Sequence, residues 1–305
     1  MKIRVGTRGS LLATTQTAQT MATLVAAHPD LEIETVLIRT TGDVRQDVPL
    51  AQVGGDGLFV KELERALTDG RIDVAVHSLK DLPTAQPEGL ELAAILPRED
   101  ARDAFISVSG TLLGQLPEGA RIGTGSSRRQ AQLAVLGRSW QLQGLRGNVD
   151  TRLTRLQEGA FDAILLACAG LDRLDRGAVI TERISFLRML PAPGQGAVVI
   201  QCRSEDAALR ARLAAVDDEA TRAAVTAERA LLACLHGGCS IPLGALGRVR
   251  DDRMELEAFL GLPDGSDHVR LSWTGPLAKP VALGEALADR LLEAGGKAIL
   301  GRLGR

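Results

Sequence analysis

The chain has 305 residues, 45% of them hydrophobic and 24% charged, with a formal net charge of -2. That is enough chain for two or three domains of a soluble globular protein. So small a net charge, with five Phe, two Trp and no Tyr, argues against a general binder of nucleic acid or membrane surfaces.

The first third alternates strand and helix. Lys2–Val5 reads as a strand, and Ser10 can cap a helix running to about Ala27, stopped at His28-Pro29. Glu32–Ile38 is the next expected strand. A polar, Gly-rich loop follows from Thr40 to Gly57, then an amphipathic helix over Leu58–Thr68. Ile72-Asp73-Val74-Ala75-Val76-His77 is a near-continuous apolar run, as in a strand covered on both faces, and Ser78-Leu79-Lys80-Asp81-Leu82-Pro83 ends it. Leu90–Leu96 reads as one more strand. The charged run Pro97 to Asp103 reads as a crossing and a hinge.

A second α/β unit follows, with strands at Arg121–Thr124, Trp140–Leu145 and Phe161–Ala167 and helices at Ser127–Leu136 and from Asn148 or Asp150 to about Gln157. Pro191 to Gly196 leads into a strand, Ala197–Cys202, placed to return to the first unit. From about Asp217 a long Ala-rich helix runs to Leu235. Strands at 243–249, 253–261 and 268–274 form an antiparallel meander, and Pro280–Ala294 is a closing helix. The expected fold is α/β: two lobes joined by two crossings, plus a small α+β C-terminal domain with a three-stranded antiparallel sheet. The expected domains are 1–98 with 192–216, 99–191, and 217–305.

Ligands in open α/β sheets sit at the carboxyl ends of strands, which is where Lys80 and Asp81 fall. Asp81 can serve as a general acid or base, or as a fixed negative charge beside a developing cation. Three strand-to-helix turns carry five arginines: Arg8 in Thr7-Arg8-Gly9-Ser10, Arg128 and Arg129 in Gly123-Thr124-Gly125-Ser126-Ser127-Arg128-Arg129-Gln130, and Arg146 and Arg152 around Gly147-Asn148. Arginine at a helix start opposes the dipole, but with the free N–H groups it makes a strong anion site. A ligand with several carboxylates or phosphates is expected.

Four cysteines form no CxxC and no Cys-His metal spacing, so no metal is expected. Cys168, Cys202 and Cys234 read as buried filler. Cys239, in the turn Gly237-Gly238-Cys239, has an unhindered thiol. A protease-like pair of Cys239 with His236 or His77 is disfavoured by that tight turn, and His77 reads as a core histidine. No apolar run reaches transmembrane length and the N-terminus opens no signal pattern, so a cytoplasmic protein without membrane contact is expected.

Taken together these segments resemble porphobilinogen deaminase, also called hydroxymethylbilane synthase, nearly end to end. The marks are Thr7-Arg8-Gly9-Ser10, Val53-Gly54-Gly55 with Gly57-Leu58-Phe59-Val60-Lys61-Glu62-Leu63-Glu64, His77 to Pro83, Ser127-Arg128-Arg129-Gln130, Leu145-Arg146-Gly147-Asn148-Val149, Gly194-Gln195-Gly196-Ala197 and Gly237-Gly238-Cys239. The resemblance implies two lobes like periplasmic binding proteins and a transferase of tetrapyrrole (porphyrin and heme) biosynthesis. Four porphobilinogens would be joined head to tail with loss of ammonia, on a dipyrromethane primer held by a thioether to Cys239, and the linear tetrapyrrole released by hydrolysis. It implies Asp81 as the catalytic residue, and Ser78, Lys80, Thr124, Ser126, Arg128, Arg129 and Arg146 beside Cys239 around the cofactor. Arg8, Ser10, Gln16, Arg152 and Gln195 would bind substrate. Porphobilinogen and the growing polypyrrole would be the partners of a monomer that binds no nucleic acid.

Several positions depart from the family pattern. Asp56 stands where a lysine is usual, Gln52 where a basic residue is common, Thr124-Gly125-Ser126-Ser127 replaces Thr-Ser-Ser-Leu, and His236 replaces a glutamate. Two other readings compete: a non-enzymatic two-lobed polyanion-binding protein, which would want an export signal, and a cysteine acyltransferase, which would want a paired base.

Overall fold

The computed structural model describes residues 1–39, 60–235 and 241–304. The Gly-rich loop with Gln52 and Asp56, Phe59, and the His236 to Ser240 turn with Cys239 lie outside the described residues. The chain divides into two compact units, Met1–Glu99 with Ala197–Arg222, and Asp100–Gly196 with Ala223–Arg305.

In chain order the elements are β1 (Lys2–Thr7), α1 (Leu11–Ala27), β2 (Glu32–Leu37), α2 (Lys61–Thr68), β3 (Val74–Ser78) and β4 (Leu90–Ile95). Then come β5 (Asp103–Ser107), β6 (Arg121–Gly123), α3 (Ser127–Val135), β7 (Gln141–Gln143), α4 (Val149–Gln157), β8 (Ala163–Ala167), α5 (Cys168–Arg173) and β9 (Glu182–Arg183). The chain continues with β10 (Val198–Arg203), α6 (Ala207–Leu213), α7 (Glu219–Cys234), β11 (Leu243–Arg250), β12 (Arg253–Gly261), β13 (His268–Pro276), α8 (Pro280–Leu291) and α9 (Lys297–Arg302).

The first unit is built on a sheet of order β2-β1-β3-β10-β4. β1 runs parallel to β2 and β3, while β10 runs antiparallel between β3 and β4. Ile3, Val5, Val74, Val76, Val198 and Ile200 pack one face together with Met21 and Leu24 of α1. Ala75, on the opposite face, packs with Leu63, Ala66 and Leu67 of α2. Cover on both faces is why the β3 run is continuously apolar rather than alternating. Each such buried side chain contributes roughly 1.5–3 kcal/mol of transfer free energy.

The second unit contains a sheet of order β7-β6-β8-β5-β9, again with parallel strands beside an antiparallel one. β5 was hidden by the charged run before it. The crossing expected through Asp103 stops sooner, because Asp103 opens β5 and is fully buried. Residues 192–196 group with this second unit rather than with the first lobe. The Gln195 amide nitrogen donates to Ala101 O at 2.7 Å, and Gly194 N donates to buried Glu228 at 2.7 Å.

The meander β11-β12-β13 is antiparallel throughout and lies where the turn residues place it. With α7, α8 and α9 it encloses a cluster of its own, including Leu231, Leu243, Met254, Leu256, Leu287 and Leu291. The closing helix ends earlier than expected, in a wide turn, Leu292–Gly296, where Gly295 takes φ 119° before α9 begins.

Candidate active site

In the first unit the carboxyl ends of the neighbouring parallel strands β1 and β3 carry the candidate residues. Thr7 at the end of β1 is buried; its hydroxyl donates to Ala13 O at 3.2 Å and accepts from Thr17 Oγ1 at 2.8 Å. These bonds fix how β1 enters α1. Ser10 caps α1 as expected, accepting from Ala13 N at 3.3 Å, and half-buried Arg8 lies on the turn between them. Buried Gln16 accepts a hydrogen bond from Ser78 Oγ at 3.0 Å. Ser10, Gln16 and Ser78 are therefore held by local geometry and one long-range bond.

Beyond Ser78 the chain makes one turn of 3-10 helix, Leu79–Asp81. Leu79 is buried and its N–H donates to Ala197 O at 3.0 Å, anchoring the turn to the sheet. Lys80 is half-buried, whereas Asp81 is exposed.

Below this turn lies a polar chain that sequence reasoning did not identify. His77 is buried and its Nε2 donates to Gln201 Oε1 at 3.1 Å. Gln201, fully buried on β10, donates through Nε2 to Gln86 Oε1 at 2.9 Å, and Gln86 Nε2 donates to Pro83 O at 3.0 Å. The sheet is thus wired to the backbone just after Asp81. Burial, with the charge of Arg8 adding to it and the Gln201 bond opposing, lowers the His77 pKa to about 4. It is a neutral core histidine, as expected.

In the second unit the arginines behave differently from open forks. Ser126 caps α3, accepting from Arg129 N at 3.4 Å, and Thr124 Oγ1 accepts from Ser126 N at 3.2 Å. Arg128 and Arg129 are only 4% and 6% exposed, and both turn inward onto Asp103, which is 0% exposed. Arg128 Nη1 and Nη2 donate to the two Asp103 oxygens at 2.6 and 3.2 Å, and Nη1 also reaches Leu190 O at 2.6 Å. Arg129 Nε and Nη2 donate to Asp103 Oδ1 at 3.1 and 2.7 Å, and Nη1 to Leu165 O at 2.9 Å. Burial works to raise the Asp103 pKa, but the two guanidiniums overcome it and hold the carboxyl well below the usual carboxylate range. Gln195, expected at the substrate, also donates to Asp103 Oδ1, at 3.0 Å.

Arg146 and Arg152 are half-buried on the next turn. Gly147 takes φ 110°, a conformation open to glycine, so that Asn148 can cap α4 by accepting from Thr151 N at 2.8 Å. Arg152 Nε donates to Gly147 O at 2.8 Å. Sequence reasoning missed Asp103; the one local signal that could have found it is an acid at the head of the apolar run Ala104-Phe105-Ile106.

Three cysteines lie among the described residues. Burial pushes Cys168 up to about 12 and Cys202 up to about 11, and also raises half-buried Cys234. None of these is a ready thiolate at neutral pH.

Together these features define a mixed α/β protein with a carboxylate at one strand end and arginines built into the helix starts of its second unit. A family model described as the porphobilinogen deaminase dipyrromethane cofactor binding domain matches residues 3–211, and its C-terminal domain model matches residues 222–293. A porphobilinogen deaminase of Trichlorobacter lovleyi is 50% identical over 98% of this chain and 96% of its own length. One from Syntrophus aciditrophicus is 44% identical over 99% and 98%. Among solved structures, the periplasmic VFT2 domain of Bordetella pertussis BvgS overlaps 70% of this chain and 86% of its own at 12% identity, with a TM-score of 0.43. The chain belongs to the porphobilinogen deaminase family.

Proposed function

We propose that the chain joins four molecules of porphobilinogen head to tail, losing ammonia at each addition, and releases the linear tetrapyrrole by hydrolysis. The match to the dipyrromethane cofactor binding domain carries this reading, because its span holds Asp81 and all three arginine turns. When bound, the dipyrromethane supplies a covalently anchored end from which the pyrrole chain is extended. The donor set fits such a polycarboxylate. Two guanidiniums share a single internal carboxylate, and Arg128 Nε is buried without a hydrogen-bond partner among the described residues. Thr124, Ser126, Arg128, Arg129 and Arg146 are read as holding the cofactor's carboxylates, and Ser78 and Lys80 are read as cofactor-binding residues as well. Arg8, Ser10, Gln16, Arg152 and Gln195 serve the incoming substrate, Gln195 through its hold on Asp103.

The chemistry asks for one well-placed negative charge. As ammonia leaves porphobilinogen with the electrons of the C–N bond, positive charge spreads into the pyrrole ring. Formation of the new C–C bond then releases a ring proton. Asp81 accepts the pyrrole N–H and offsets both cations, an electrostatic task that a carboxylate fixed by a short anchored turn can perform.

Cys239 is the thioether site in this reading. Its support is the sequence Gly237-Gly238-Cys239, where neighbouring glycines bring no side chains, and the raised pKa values of the other cysteines. The C-terminal segment is read as a third domain carrying Cys239, supported by its separate apolar cluster. A cytoplasmic monomer remains part of the proposal; among the described residues no helix is long and apolar enough to cross a membrane. Intact mass under denaturing conditions tests the whole reading. A dipyrromethane increment that disappears in Cys239→Ala is expected. Fully active protein with an unmodified Cys239 overturns it, and inactive protein without any adduct returns the case to a polyanion-binding role.

A further inference from the structure

We propose that Asp103 is the positioning residue of the Arg128–Arg129 pair, setting where the two guanidiniums lie and leaving them one net positive charge for one ligand carboxylate. This rests on the function proposed above.

Consecutive residues on a helix project about 100° apart and do not face one another. Arg128 and Arg129 nevertheless converge, because each donates two hydrogen bonds to the same fully buried carboxylate. Without that carboxylate two like charges would be buried side by side at the start of a helix, where the dipole adds further positive potential. With it, two cations meet one anion. The remaining charge is one unit positive, and among the described residues Arg128 Nε is a buried donor with no hydrogen-bond partner. A buried site that is one negative charge short is matched to a single carboxylate.

Asp103 is itself held from another side. Its Oδ1 accepts from Gln195 Nε2 at 3.0 Å, and the same nitrogen donates to Ala101 O at 2.7 Å. Leu190 O accepts from Arg128 while Leu190 N donates to Gln132 Oε1 at 2.7 Å, so the backbone acceptor is fixed too. The carboxylate is therefore placed by its strand and by Gln195 independently of the arginines it orients. The depressed Asp103 pKa is consistent with an anion surrounded by donors.

The test uses full-length apoprotein made without porphobilinogen, as wild type, Asp103→Glu and Asp103→Asn. Each is given porphobilinogen, and covalent loading of Cys239 is followed by intact mass, with thermal unfolding in parallel. Asp103→Glu keeps the charge but moves the carboxylate by one methylene. It is expected to stay folded, with a lowered melting temperature from the added methylene, and to load at least 10-fold more slowly; once loaded it should show a porphobilinogen KM raised at least 10-fold with kcat within 3-fold. Wild-type loading and KM in Asp103→Glu would show that charge alone suffices and overturn the proposal, as would wild-type loading in Asp103→Asn. If neither variant folds, Asp103 is a folding element and the proposal fails. If wild-type apoprotein takes up no adduct, the function reading fails instead.

Discussion

Ser78 Oγ donates to Gln16 Oε1 at 3.0 Å, joining the end of β3 to the inner face of α1. Gln16 is buried, so its oxygen has little access to water if that donor is lost. Ser78→Ala is expected to cost about 1 kcal/mol of folding stability, the usual cost of stranding a buried acceptor. Adding Gln16→Leu removes the stranded group, so the double variant should lose less than the sum of the two single changes. Urea titrations of the four proteins measure this coupling. Strict additivity would mean the bond holds nothing in place.

Asp81 lies on the same turn but is exposed. An exposed side chain buries little surface, so Asp81→Ala should change stability by less than about 0.5 kcal/mol. Turnover should fall by roughly 100-fold or more, because the group offsetting the cationic centre is gone. Denaturant unfolding together with steady-state kcat decides the matter. Near-normal kcat in a folded Asp81→Ala protein would remove Asp81 from the chemistry.

What could be read from sequence follows how far apart the interacting residues are. The caps Ser10, Ser126 and Asn148 act within three residues of themselves, so their pattern is local and the helix starts fall where expected. The β3 run and the β11-β12-β13 turns are legible for the same reason. Asp103 and Gln201 are different. Asp103 meets Arg128 across 25 positions, and Gln201 meets His77 across 124. No window of sequence contains both partners. The arginine turns were legible as positive charge, but the inward direction of Arg128 and Arg129 is set by a carboxylate on another strand.

Gly147 offers a direct check on the second arginine turn. Its φ is 110°, and a Cβ there would lie 2.7 Å from Thr151 Cγ2. Gly147→Ala therefore combines a strained backbone with a side-chain clash and should destabilise by about 1–3 kcal/mol. Asn148→Ala, which removes the cap and the bond from Thr151 Oγ1 but leaves the backbone unstrained, should cost about 1 kcal/mol. Because Arg152 Nε donates to Gly147 O, Gly147→Ala should also raise the porphobilinogen KM more than Asn148→Ala does. Equal KM values in the two variants would detach Arg152 positioning from this turn.

His77 makes a prediction about acid. Its ordinary pKa of 6.5 is lowered in the folded chain to about 4, first by burial. Below pH 6.5 the unfolded chain binds a proton that the folded chain does not take up until about pH 4. Folding stability therefore rises with pH across that window and is lost as pH falls from about 6.5 towards 4. The full excursion is about 3 kcal/mol at 1.36 kcal/mol per unit. The carboxyls lowered by arginine neighbours, Asp73, Asp100 and Asp103, also lose stability in acid, but below the usual carboxylate pKa near 4. The two contributions are thus separated on the pH axis. His77→Gln keeps a donor for Gln201 and cannot titrate, so its stability should fall less than that of wild type between pH 6.5 and 4.5; Glu64, whose carboxyl pKa burial raises, works in the opposite sense in both proteins. Urea unfolding at half-unit steps of pH makes the comparison. Parallel curves for the two proteins would show that His77 does not carry the acid sensitivity.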